Sequence, residues 1–396
     1  MDVNQALPLL AGLSPAKFMR RHWQKKPLLI RGAIPGFKPL LSRSELFDLA
    51  AREGVESRLV VQGKSGWHMK QGPFGQRALP PLKQSGWSLL VQGVDLHVQK
   101  AHELLQQFRF VPDARLDDLM ISFATPDGGV GPHFDSYDVF LLQASGRRRW
   151  KIARQKDFTL QSGVPLKILQ NFEPEQEFVL EAGDMLYLPP RYAHDGIAES
   201  VEPGRKRGDC MTYSIGFRAP GRQELASELL HRIAGFGEDA ADEDSGMGRR
   251  SVMSFLYRDP DQEATSTPAE IPQSLARFAE NVLRSALEDP LSLTCALGEY
   301  MTEPKPLIWF DEPDEDWPSS RFGVCLDVKS RMMYDAHHVF LNGESYRAGG
   351  ADLRLMRRFA DRRALSAADM AKASPAAMEL LADWHDAGWI RIDLDQ

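Results

Sequence analysis

Gly131-Pro132-His133-Phe134-Asp135-Ser136-Tyr137-Asp138-Val139-Phe140-Leu141-Leu142 leads from a Gly-Pro turn into an aromatic and aliphatic run. On the way it places a histidine and a carboxylate two residues apart. Its second half, residues 137–142, reads as a strand. The same pattern recurs on both sides. Met120-Ile121-Ser122-Phe123, residues 149–152, Met185-Leu186-Tyr187-Leu188 and residues 212–217 are short runs rich in Val, Ile, Phe and Tyr. Turns containing Gly or Pro separate them. Short strands at this spacing predict an antiparallel sandwich or barrel over residues 119–217.

Upstream, Ser14 caps a helix with Pro15 in its first turn. Residues 25–30 read as a basic bend entering a strand. Ser42 and Glu45 form a capping box for a second helix that runs toward Gly54. Strands are expected at residues 58–62 and 87–92, and a helix at 97–108. Downstream of Pro220 the chain turns helical, at residues 223–233 and 271–287. Residues 235–250 between them are acidic and Gly-rich, and read as a solvated, mobile loop. The last segment starts near Pro304. There Ser366 and Asp369 begin one helix, Ser374 and Pro375 begin another that ends near Gly388, and residues 389–392 form a closing strand. Helix, helix, strand in so short a span suggests a winged-helix-like unit.

A chain of 396 residues exceeds one ordinary domain and fits two or three. With 43% hydrophobic and 26% charged residues it can bury a sizeable core, which excludes a disordered class. The net charge of −7 disfavours general nucleic-acid binding. The same holds for the winged-helix-like segment: residues 351–396 carry seven Lys/Arg against eight Asp/Glu, so no DNA partner is expected. The three cysteines, Cys210, Cys295 and Cys325, contain no C-x-x-C pair, which argues against a disulfide framework or a Cys-based zinc site. No stretch approaches a membrane span, and the first residues show neither a basic start nor a small-residue cleavage site. The expectation is a cytoplasmic protein with no membrane partner.

In a strand, residues two apart share a face, so His133 and Asp135 can converge on one metal ion. A second histidine, His194, follows the turn, strand and Pro-Pro bend of Gly183-Asp184-Met185-Leu186-Tyr187-Leu188-Pro189-Pro190. Two histidines and one carboxylate on one face of a metal form the facial triad of non-haem Fe(II) oxygenases. The H-x-D pair alone carries little weight, since about 1.4 such His-x-acid pairs are expected by chance in this composition. Its place at the start of an aromatic strand, with His194 after a strand ending in Pro-Pro, gives it force. A 2-oxoglutarate cosubstrate also needs a cation for its far carboxylate, best a forked arginine. Ala144-Ser145-Gly146 followed by Arg147-Arg148-Arg149-Trp150 reads as a hairpin. Alternation puts Arg148 on the face of Trp150 and Ile152, opposite Arg147 and Arg149. Were that face interior, Arg148 would need an anion; a solvated basic turn is the equally weighted alternative.

With these residues together, the chain resembles the JmjC oxygenases, and within them the ribosomal oxygenase branch. The matching stretches are Ile121-Ser122-Phe123, GVGPHFDSYD at residues 129–138, GRRRW at 146–150, GDMLYLPP at 183–190 with His194, and YSIGFRAP at 213–220. The resemblance extends more weakly over nearly the whole chain. It implies an α+β fold around a double-stranded β-helix, the jelly roll, cupin-like core of JmjC proteins. The implied domains are a JmjC oxygenase domain at residues 1–220, a helical dimerisation region at 221–303 and a winged-helix-like C-terminal domain at 304–396. His133, Asp135 and His194 fall on the family's Fe(II) ligands, and Arg148 on its 2-oxoglutarate anchor. Ser122 would add a hydrogen bond to the cosubstrate. Asp127 and Tyr137 would contact a substrate arginine. The residues before His194, Arg191-Tyr192-Ala193, depart from the bend expected of the family.

The implied activity is an O₂-consuming protein hydroxylase acting on the β-carbon of an arginine in the sixteenth large-subunit ribosomal protein, as a homodimer. Alternatives with the same motifs are a histidyl hydroxylase of another ribosomal protein, an N-methyl demethylase, and a non-catalytic ribosome-assembly binding module. A zinc cupin isomerase or hydrolase would need a further ligand that the matching strands do not contain.

Overall fold

The computed structural model describes residues 2–200, 209–239, 257–260, 269–288, 290–313, 315–318 and 322–393. The chain divides into two compact units, Met1–Ala219 with Pro306–Trp309, and Pro220–Lys305 with Phe310–Gln396.

The first unit holds eleven strands among its described residues. In chain order these are β1 (Leu28–Ile30), β2 (Ser57–Gly63), β3 (Gly66–Gln71), β4 (Trp87–Val91), β5 (Leu116–Ala124), β6 (Val139–Ser145), β7 (Arg148–Ala153), β8 (Gln176–Leu180), β9 (Met185–Leu188), β10 (Ala193–Ala198) and β11 (Cys210–Phe217). They form an eight-stranded sheet in the order β1-β9-β6-β11-β5-β4-β2-β3 and a three-stranded sheet in the order β10-β7-β8. All the pairs are antiparallel. This is the jelly-roll core that the resemblance implied. Alternation along each strand sorts side chains into two layers. On β6, Phe140, Leu142 and Ala144 join the large core with Ile121, Phe123, Tyr187 and Tyr213. Val139 and Leu141 face the other way and pack with Trp150, Ile152, Leu180, Leu186 and Leu188 from the two sheets.

Helices α1 (Pro15–Arg21), α2 (Arg43–Ala50) and α3 (Gln99–Gln106) belong to the same unit. Their starts follow local chemistry. Ser14 accepts from the Lys17 amide, and the Ser42–Glu45 capping box forms in both directions. The N-terminal segment is latched to the large sheet by two buried phenols. Tyr213 Oη accepts from the Leu40 amide at 2.9 Å. Tyr187 Oη accepts from the Gln24 amide at 2.8 Å and donates to the fully buried Asp138 carboxylate at 2.6 Å.

Two sequence expectations are corrected here. The turn at Gly146 is not a hairpin: β6 pairs with β9 and β11, whereas β7 pairs with β8 and β10. It is a corner at which the chain passes from one sheet to the other. Gly146 sits at φ 66°, and a Cβ there would lie 2.9 Å from both the Asp209 carbonyl oxygen and the Cys210 Cα, so the corner excludes a side chain. The His133–Asp135 segment also lies outside the strand, which begins only at Val139, and Tyr137 precedes it.

The second unit contains helices α4 (Arg222–Asp239), α5 (Gln273–Glu288) and α6 (Pro290–Thr302). Its later part is built from β12 (Gly323–Leu326), β13 (Met332–Tyr334), β14 (His338–Leu341), β15 (Glu344–Arg347), α7 (Gly350–Arg362), β16 (Ala364–Leu365), α8 (Ala367–Met370), α9 (Pro375–Asp386) and β17 (Ile390–Asp393). Two three-stranded sheets, β16-β12-β17 and β13-β14-β15, accompany these helices. Val324, Leu341, Phe359, Leu365, Leu381 and Trp384 form their shared core. Ser366 and Ser374 cap α8 and α9 as expected. Of the loop expected at residues 235–250, the first five residues continue α4, and the rest lie outside the described residues.

Candidate metal centre

His133 and His194 stand 61 positions apart and face each other across an isolated antiparallel bridge. The His133 amide donates to the His194 carbonyl at 3.0 Å, and the His194 amide to the His133 carbonyl at 2.8 Å. Directly opposed residues project their side chains to the same side, and the ring centroids stand 4.2 Å apart. Each ring is also held from behind. Nδ1 of His133 lies 2.9 Å from the Gly131 carbonyl oxygen, and Nδ1 of His194 lies 2.9 Å from that of Tyr192. A carbonyl only accepts, so each Nδ1 carries the proton and each Nε2 is left with its lone pair.

Asp135 completes the group, with Oδ2 3.7 Å from His194 Nε2. One ligand atom from each of the three residues lies within 4.8 Å of the others, and this is the one such cluster of His, Cys, Asp or Glu among the described residues. Burial is the main force on His194 and pushes its pKa down to about 4; the neighbouring His133 adds to the effect, and Asp135 and the Tyr192 carbonyl oppose it. At neutral pH the imidazole is therefore the neutral, ligating form. Two imidazoles and a carboxylate on one side match the donor set of a non-haem iron site.

Arg148 lies on β7, cross-strand from Leu180 and Ala198. Alternation works as expected. Arg149 pairs with Glu177 and Glu199, and Arg147 with Glu181 and Glu199, whereas Arg148 turns inward and is only 5% exposed. Its Nε and Nη2 are buried and meet no acceptor. A buried guanidinium without an anion is costly, so this arrangement fits an anionic ligand that accepts from Nε and Nη2. Trp150 shares the face, 5.8 Å from Arg148 and 5.8 Å from the His194 ring, and its Nε1 is also buried without an acceptor. Gly196 makes room for this indole: a Cβ there would lie 2.5 Å from it. Neither Trp150 nor Gly196 was singled out in the sequence as a site residue.

Ser122 is buried on β5, on the face opposite Ile121 and Phe123. Its Oγ donates to the Thr212 carbonyl at 3.3 Å, and Thr212 Oγ1 donates to Gln143 Oε1 at 2.9 Å. This polar chain lies on the inner face of the large sheet, the face on which Val139 and Leu141 also lie. Asp127 is exposed on a turn at φ 63°, where its amide donates to the Ala198 carbonyl at 2.9 Å. Tyr137 is 39% exposed. Burial around its hydroxyl, with the charges of Asp135 and Asp118, raises its pKa above the usual phenol value. Asp118 is the nearby acidic group that the sequence reading missed. It is buried and accepts from Gln92 Nε2 at 2.7 Å and from the Gly93 amide at 3.2 Å. Its signal was a carboxylate on the Met120 and Ser122 face of a strand that is otherwise largely apolar.

Known proteins converge on the same reading. A JmjC domain model matches residues 103–225, and a ROXA-like winged helix model matches residues 285–391. The chain is 33% identical to the ribosomal protein uL16 3-hydroxylase of Escherichia coli over 342 residues, which cover 83% of this chain and 84% of that protein. It is 34% identical over 218 residues to a probable ribosomal oxygenase of Haemophilus influenzae, covering 54% of this chain and 52% of that one. A solved structure of YcfD, a ribosomal oxygenase from Escherichia coli, in complex with cobalt and 2-oxoglutarate superposes with a TM-score of 0.77 at 29% identity, covering 96% of this chain and 98% of that one. Taken with the bridged histidines and the unpaired guanidinium, these similarities place the chain in the JmjC-domain ribosomal oxygenase family, and it is an Fe(II)- and 2-oxoglutarate-dependent oxygenase.

Proposed function

We propose that this oxygenase hydroxylates the β-carbon of an arginine in ribosomal protein uL16, with His133, Asp135 and His194 as the iron ligands and Arg148 as the anchor of the distal 2-oxoglutarate carboxylate. The observation that carries the site assignment is the pairing of two carbonyl-tethered histidines with a buried, unpaired arginine in one sandwich interior. The target rests on the 33% identity to the uL16 3-hydroxylase over most of both chains. When bound, Fe(II) with 2-oxoglutarate and O₂ supplies the oxidising power that the side chains lack. The protein's own groups bind, orient and exclude water. Nδ1 of each histidine keeps its proton on a backbone carbonyl, so the Nε2 atoms stay available. Arg148 neutralises a carboxylate in a layer walled by Trp150, Val139 and Leu141. Ser122 lies in the same layer and offers a hydroxyl to the cosubstrate. Tyr137 and Asp127 take the substrate side, with a phenol face and a negative charge suited to a guanidinium. The charge of the buried Asp118 carboxylate acts on the Tyr137 phenol.

The test is mass spectrometry of uL16 after incubation with the protein, Fe(II) and 2-oxoglutarate. Gain of one oxygen atom on an arginine is expected. Oxygen on a histidine of another ribosomal protein, or loss of a methyl group from a lysine, would replace this reading with one of its alternatives. Absence of any 2-oxoglutarate turnover would favour the binding module.

The working unit in this reading is a cytoplasmic homodimer with the three domains expected from the sequence. In α5, Leu275, Val282, Leu283 and Leu287 are 38–56% exposed, and Ile271 just before it is 74% exposed. Such a stripe at helical spacing needs a cover, and a second copy supplies one. Leu283→Glu is expected to shift the protein to monomer in sedimentation. An unchanged dimer would remove α5 from the interface. No helix among the described residues is long and apolar enough to cross a membrane.

A further inference from the structure

Residues 131–135 carry two of the three proposed ligands, yet only His133 takes part in a bridge. Their geometry has to come from neighbours, and each residue has its own. The position of a Cβ on Gly131 would lie 3.0 Å from Ile168 and 3.1 Å from Trp67, so these two side chains pack against the turn. The Pro132 carbonyl accepts from the Leu169 amide at 2.8 Å. His133 is bridged to His194. The Phe134 ring, from the residue between His133 and Asp135, meets Phe158 edge-on at 4.6 Å. The Asp135 carbonyl accepts from the Arg191 amide at 2.7 Å, and the Arg191 guanidinium lies over the Phe158 ring at 4.6 Å.

Phe158 therefore touches both supports. It comes from the excursion between β7 and β8, which is closed on itself. The Gln161 amide donates to Ile168 at 2.8 Å, the Gln170 amide to Thr159 at 2.9 Å, and the Asp157 carboxylate accepts from Thr159 and Asn171. Arg191 comes from the bend that differs from the family's expected one. It sits at φ 62°, a backbone region that disfavours arginine, and is held there by its amide hydrogen bond to Asp135 and by its side-chain stack on Phe158.

We propose that Phe158 and Arg191 are positioning residues: the stack Phe134–Phe158–Arg191 holds the segment from His133 to Asp135 in ligand geometry before the metal binds. The proposal rests on the reading that His133, Asp135 and His194 are the ligands. Preorganising a ligand set through its outer contacts raises metal affinity, and loss of such a contact typically weakens it about 10–100-fold.

The experiment titrates metal-free full-length protein with Co(II) and follows binding by absorption and calorimetry. It compares wild type with Phe158→Ala, Phe158→Tyr, Arg191→Gly and Arg191→Lys. Arg191→Gly keeps the amide that holds Asp135 and suits the positive φ, so it removes the stack without straining the bend. Phe158→Ala is expected to weaken Co(II) binding on the order of tenfold and Arg191→Gly several-fold. Phe158→Tyr keeps the ring and is expected to bind like wild type, and Arg191→Lys, which keeps the charge without the planar stack, is expected to fall between wild type and Arg191→Gly. The metal-free melting temperature should barely move. Wild-type affinity in both disruptive variants would overturn the proposal and leave the ligand assignment standing. So would equal losses in disruptive and conservative variants that track the melting temperature, since that would make the stack merely structural. If His133→Ala binds Co(II) as tightly as wild type, the ligand assignment itself fails and the proposal with it.

Discussion

His133→Ala is expected to abolish 2-oxoglutarate turnover and to weaken metal binding by more than the roughly 10–100-fold that loss of an outer contact costs. The protein should still fold. His133 is only half-buried, and its two bridge hydrogen bonds to His194 are made by main-chain atoms that alanine also has. Among the described residues, the one hydrogen bond lost with the ring is that from Nδ1 to the Gly131 carbonyl. His133 is therefore a cleaner probe than His194, which is 3% exposed and would leave a cavity. Co(II) absorption together with succinate formation reads both effects. A variant that bound Co(II) normally and turned over 2-oxoglutarate would remove His133 from the ligand set.

Arg148→Met is expected to have the second largest effect, with an uncommon combination of signs. The substitution keeps volume and removes a buried cation whose Nε and Nη2 have no acceptor. Without cosubstrate, stability should be unchanged or should rise by about 1–3 kcal/mol, because an unsatisfied buried donor or charge is itself a cost. With cosubstrate the sign reverses. Losing one partner of a buried charge pair costs about 2–5 kcal/mol, so KM for 2-oxoglutarate should rise on the order of a hundredfold or more. Thermal melting with and without 2-oxoglutarate separates the two arms: wild type should gain stability from the ligand and Arg148→Met should not. If the variant melted lower without ligand and kept its KM, Arg148 would be an ordinary structural arginine.

These expectations rest on features that were legible to different degrees. The N-caps of α1, α2, α8 and α9 could be read residue by residue, because a cap joins a side chain to an amide three positions away. The strands β5, β6, β9 and β11 were legible because they are buried on both faces and their apolar content marks them. Strands β3, β8 and β10 were not. The first two are exposed edge strands with half-polar sequences, and β10 carries His194, Asp195 and Gly196. The expected Pro-rich bend before His194 exists, but the residue itself lies on a strand. In the second unit α6 and α7 went unread, and so did the short strands β12–β16, whose runs of two to four residues carry no period.

The candidate site divides in the same way. By itself the sequence determined which residue types were present and how they alternate: an H-x-D pair, a later histidine, and an arginine facing opposite its two neighbours. Alternation is a property of the local backbone, so Arg148 could be separated from Arg147 and Arg149 before any tertiary contact was known. Only the tertiary structure decided that the Arg148 face is interior. It also decided that Gly146 turns a corner between sheets instead of closing a hairpin, that His133 and His194 meet across a bridge, and that Phe158 stacks between Phe134 and Arg191. Each of these is a contact between residues far apart in the chain. Their pairing is set by how two sheets pack, which neither periodicity nor spacing encodes.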